Sequence, residues 1–193
     1  MGTKALLKAP HEFVAAKAAQ GSAAAMNVLG INYSSGRGSE IAVDHVKAAQ
    51  CFAAAAKHGR NDGILNLAHC YRDGLGVEQN RPRAIELFAQ AARQGDPYAK
   101  IGLADMYIHG SRKWSEMAKA ADYLLEAAEN RNGFVRGEAQ YSLENLAGAY
   151  RKMARRKIPY IFMEEDIPPE KLQRRVTRVM AFIEKHPELT VRF

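Results

Sequence analysis

The chain has 193 residues, enough to bury a core as one domain or as a short repeat array. Hydrophobic residues make up 47% and charged residues 25%, a balance that excludes a disordered chain, and two cysteines are too few for a disulfide framework. The net charge of +7 is uneven: residues 1–150 carry 17 Lys/Arg against 15 Asp/Glu, whereas residues 151–193 carry 11 against 6. The basic surplus therefore belongs mainly to the C-terminal fifth.

Alanine supplies much of the apolar content, which favours helix throughout. No apolar run approaches the roughly 20 residues a spanning helix needs. Near the N-terminus, Lys4, Lys8, His11, Glu12 and Lys17 interrupt any leader-like apolar segment. As given, the chain reads as cytoplasmic, with a periplasmic or secreted location open to a form whose leader has been removed.

In chain order, Phe13–Gly21 reads as one helix closed by a glycine. Three helix–loop–helix units follow, about residues 22–59, 60–95 and 96–131, and then a partial fourth at 137–157. Each first helix carries Leu, then Gly or Ala, then Tyr: Leu29-Gly30 with Tyr33, Leu67-Ala68 with Tyr71, Leu103-Ala104 with Tyr107, and Leu146-Ala147 with Tyr150. Successive tyrosines are 38, 36 and 43 residues apart, a period that means stacked supersecondary units. The second helices repeat too: Lys47-Ala48, Phe52, Ala55-Ala56; Arg83-Ala84, Phe88, Ala91-Ala92; Lys119-Ala120, Leu124, Ala127-Ala128. Their apolar and small positions recur at the spacing of a one-sided helix.

Small residues let paired helices approach closely, and Leu and Tyr fill the space beside them. Replacing Ala68 with Leu should overpack that contact by about 1–3 kcal/mol. Gly59 and Gly95 stand where a left-handed residue stops the second helix. The third unit has Arg131 there, followed by Asn132-Gly133.

These residues resemble the Sel1-like repeat family, relatives of tetratricopeptide repeats. The second unit carries the likeness furthest, with Leu67-Ala68, Tyr71, Gly74-Leu75-Gly76-Val77, Asn80, Arg83-Ala84, Leu87-Phe88, Ala91-Ala92 and Gly95. The first unit keeps Gly36, Gly38, Asp44 and Lys47 across a loop two residues longer. The third keeps Gly110 but has Arg112 and Lys113 where glycine and valine belong, with Trp114 beside them. The resemblance implies an all-α fold, a right-handed α-α superhelix of helix hairpins, with a partial leading unit at 10–21. Beyond it, residues 158–193 hold an irregular segment with Glu164-Glu165-Asp166, then a helical stripe of Leu172, Val176, Val179, Met180 and Ile183 that would cap the last unit.

For such a fold the expected function is non-catalytic: an adaptor binding a peptide or protein in a concave groove lined by the first helices. Solvent-facing positions flanking each Leu and Tyr are Asn27, Ser34, Asn66, His69, Arg72, Asp105, His109, Asn145 and Arg151. The family includes bacterial signalling, envelope and secretion proteins, so the alternative is a toxin-neutralising immunity protein or a secreted effector that occludes its partner. No His-Glu-x-x-His, Gly-x-Ser-x-Gly or phosphate-loop pattern supports catalysis, and the Gly-x-Gly pairs recur at the repeat spacing, as turn glycines do. No cofactor is expected. Cys51 and Cys70 stand at positions for large apolar residues and are expected in the core, which argues against a zinc site with His58 and His69. The basic residues Arg151, Lys152, Arg155, Arg156, Lys157, Arg174, Arg175 and Arg178 suit an acidic protein partner better than nucleic acid, because the intervening acidic run dilutes their field.

Overall fold

A computed structural model describes residues 2–36, 41–110 and 114–155, together with positions 174, 177, 178 and 181. Among them the architecture is helical throughout, in two compact units, Met1–Asp96 and Pro97–Phe193. Most of the proposed capping segment, the acidic run and the Arg112-Lys113 loop lie outside the described residues. Positions 174, 177, 178 and 181, which fall within the proposed cap, are helical.

The first unit holds α1 (Thr3–Lys8), α2 (His11–Ala19), α3 (Ala23–Ser35), α4 (His45–Lys57), α5 (Asn61–Asp73) and α6 (Arg81–Arg93). Its hairpins are α3–α4 and α5–α6, with α4 stacked on α5 and α2 on α3. Sequence periodicity misses α1, which is only six residues long and packs on α3 through the buried Leu6.

Local chemistry sets the helix ends. Ser22, Asp44 and Asn80 each accept a hydrogen bond from the backbone N–H three residues on, at 3.4, 2.9 and 3.0 Å. At the other ends, Gly21, Gly59 and Gly95 have φ of 85°, 74° and 87°. Just beyond them Ser22, Arg60 and Asp96 donate back to the carbonyls of Lys17, Ala55 and Ala91, satisfying acceptors the helix leaves open. The repeat tyrosines have a backbone part that spacing alone does not reveal. The carbonyls of Tyr33 and Tyr71 accept from Asp44 and Asn80, at 2.8 and 2.9 Å, and so tie each first helix to the start of its second.

Close approach explains the small residues. A Cβ on Gly30 would stand 2.5 Å from the Phe52 ring, and one on Gly63 would stand 2.7 Å from the Ala55 methyl. Gly76 is the most constrained: with φ of 73°, it lies where a Cβ would meet the His45 carbonyl oxygen at 1.9 Å. The turn between α5 and α6 thus rests on the start of α4. Ala68 and Phe88 are wholly buried. Cys70 is buried as expected, but Cys51 is only half-buried, so it is not a core residue.

The second unit comprises α7 (Pro97–Gly110), α8 (Trp114–Ala128) and α9 (Gly133–Arg155), each in contact with the other two. Ala104, Ala120, Leu124, Ala127, Ala139, Leu143 and Leu146 form its core. Lys100 of α7 pairs with Glu126 of α8. Asn132 caps α9 by accepting from Phe134 N–H at 3.0 Å, so this helix begins before residue 137, where the sequence places the fourth unit.

Candidate functional site

The first-helix residues singled out from sequence divide by unit. In Met1–Asp96 they are engaged internally. Asn27 is not solvent-facing: it is 1% exposed, and its carbonyl accepts from the Asn66 amide at 2.9 Å. A buried amide needs such a partner, because an unsatisfied one costs about 1–3 kcal/mol. The Ser34 hydroxyl donates to the Ile31 carbonyl at 3.0 Å. His69 packs edge-on against Phe88, with ring centroids 5.0 Å apart. Burial pushes its imidazole down to about 4, and the positive charge of Arg72 adds to the effect. Arg72 grips Asp73 through two hydrogen bonds of 2.7 Å, which holds the Asp73 carboxyl below its usual range.

In the second unit, three of the four selected residues meet. Asp105 and His109 of α7 and Asn145 of α9 line one groove of about 580 Å³, within the range of ligand sites. Arg151 lies further along α9, where only the helix backbone is described. One helical turn apart, Asp105 and His109 approach to 3.2 Å. Ile108 adds an apolar wall, and α9 contributes Tyr141, Ser142, Glu144 and Gly148. Small side chains at 142 and 148 leave room between the helices. Tyr141 is 54% exposed, an aromatic ring standing at the groove. Buried at the groove wall, Glu144 Oε1 has no hydrogen-bond partner.

Sequence reasoning passed over Tyr141 and Glu144. Tyr141 sits four residues before Asn145 and seven before Gly148, one face of a helix, so the spacing carried that signal. Nothing in the spacing marks which carboxylate is left without a donor. Among the described residues, no group of three His, Cys, Asp or Glu side chains could hold a metal ion. Nor is any described helix long and apolar enough to cross a membrane.

Capped helix hairpins joined by glycine turns, with close contacts at Gly30 and Gly63, define an α-helical hairpin-repeat protein. The Sel1 repeat model matches residues 23–59, 61–96 and 97–132, more than half of the chain, and the chain belongs to the Sel1 repeat family. Curated relatives include Protein SHC1 of Saccharomyces cerevisiae, 36% identical over 126 residues, covering 63% of this chain and 24% of that protein. Chitin synthase regulator SKT5 of the same yeast is 30% identical over 136 residues, covering 63% and 19%. The chain therefore spans about a quarter or less of the length of these relatives. Among solved structures, a Sel1 repeat protein from Oxalobacter formigenes is similar with a TM-score of 0.59 and 22% identity, over 89% of this chain and 63% of the other. Similar too is c5321, a protective antigen present in uropathogenic Escherichia coli strains that displays an SLR fold (TM-score 0.60, 20% identity, 93% and 49% coverage). These likenesses support the all-α repeat fold, and the relatives span yeast and bacteria. Sel1 repeat proteins generally mediate protein–protein interactions and are typically non-catalytic.

Proposed function

We propose that this protein is a non-catalytic adaptor that binds a protein or peptide partner along its first-helix faces, with the groove between α7 and α9 as the principal contact. The observation that carries this reading is the convergence of Asp105, His109 and Asn145 with the exposed ring of Tyr141 around one open groove. An extended or helical segment seated there would find hydrogen-bonding groups and an aromatic anchor together, the mixture that binding hot spots use. In the first unit, by contrast, Asn27, Asn66 and Arg72 already have partners within the chain. The relative named as a chitin synthase regulator is compatible with an adaptor that acts by binding an enzyme.

Affinity capture with the full chain and with a double variant, Asp105→Lys with Asn145→Ala, tests the reading. A defined set of proteins should be retained by the native chain and lost by the variant. Identical sets from both would overturn it.

A further inference from the structure

We propose that the groove between α7 and α9 receives a cationic side chain, arginine or lysine, of the protein partner. This rests on the reading of that groove as the partner site. Its wall carries two carboxylates, Asp105 and Glu144, one from each helix. Glu144 Oε1 is buried and has no hydrogen-bond donor, a state that costs free energy until a donor arrives. The lysine of α7 does not neutralise these acids, because Lys100 is engaged by Glu126 of α8. His109 sits beside Asp105, leaving Glu144 Oε1 as the buried carboxylate oxygen without a hydrogen-bond donor.

The remaining lining fits the same occupant. The ring of Tyr141 stands at the groove, where a cation can lie over its face. Asn145 offers an amide oxygen to a second N–H, and Ile108 flanks the methylene stem that lysine and arginine bury along apolar surface. An acidic side chain would meet two carboxylates and no described lysine or arginine among the lining residues. Charge complementarity therefore selects a basic segment.

Random peptides displayed on phage and selected on the full chain test this. Selected peptides are then titrated into the native chain and into Glu144→Gln, with the Asn145 and Gly148 amide resonances followed. The expected result is arginine or lysine at a fixed position. Replacing that residue with citrulline or acetyl-lysine should weaken binding about tenfold, and Glu144→Gln should cost a similar factor at unchanged helical content. Peptides that shift those amides yet are indifferent to the neutral residue and to Glu144→Gln would overturn the cationic assignment while leaving the groove as a partner site. Peptides that bind without moving those amides, or no selected peptides at all, would overturn both.

Discussion

In the first unit, the polar side chains beside the repeat leucines hold the protein together; in the second, their counterparts face an open groove. Asn66 supports the buried Asn27, His69 lies against Phe88, and Arg72 is clamped to Asp73. Asp105, which takes the place of His69 in the next repeat, lines a groove with Asn145 and Glu144. Equivalent repeat positions thus do opposite work. The period decides where a residue sits on its helix, while its neighbours decide whether its polar groups are already consumed. Function in such an array is found by asking which polar atoms the fold leaves without partners.

The comparison predicts unequal responses to substitution, and the largest is at a turn. Gly76→Ala drives a methyl into the His45 carbonyl at a positive φ. It should destabilise the first unit by about 3 kcal/mol. Hydrogen exchange should show lost protection in α4–α6; unchanged protection there would refute the tight turn.

A pH series separates the units next. The folded pKa of His69 is about 4, below the unfolded value of 6.5, so the unfolded chain binds the extra proton between those values. Its stabilising effect is complete above pH 6.5 and disappears as pH falls towards 4, by roughly 2 kcal/mol after allowance for partial exposure. Denaturant midpoints of the native chain and His69→Gln should therefore respond differently to acid across that window. Parallel curves would mean His69 is more hydrated than its contact with Phe88 implies.

Smaller still is an asparagine pair. Asn66→Ala strands the buried Asn27 carbonyl and should cost about 1–2 kcal/mol. Asn145→Ala, exposed at the groove, should stay within about 0.5 kcal/mol of native in thermal unfolding while weakening partner capture. Equal losses of stability at both sites would erase the contrast between the units. One further modest effect has the opposite sign. Gly137, within α9, has open space around its Cβ position, so Gly137→Ala should raise the melting temperature through about 1 kcal/mol of helix propensity.

Much of the fold was legible because one-sided helices and their caps are local. Asp44 and Asn80 begin the second helices, and Gly59 and Gly95 follow their ends. Those signals repeat, so each copy corroborates the next. The candidate site was legible in part. The likeness to tetratricopeptide grooves singled out Asp105, His109 and Asn145 as positions flanking the repeat Leu and Tyr, but by the same rule it assigned Asn27 to solvent, where the structure buries it. Its partner lies 39 residues away and is invisible to any local rule.

The repeat spacing, the helix boundaries near their caps and the need for small residues at Gly30 and Gly63 were determined by the sequence itself, since each follows from backbone conformation or from one helix lying on the next. Only the tertiary structure decided which polar groups were consumed and which were left over. Hydrogen bonding is settled by atoms brought together from distant turns of the chain, and among the described residues Glu144 is a glutamate with a buried carboxylate oxygen, Oε1, that has no donor within reach.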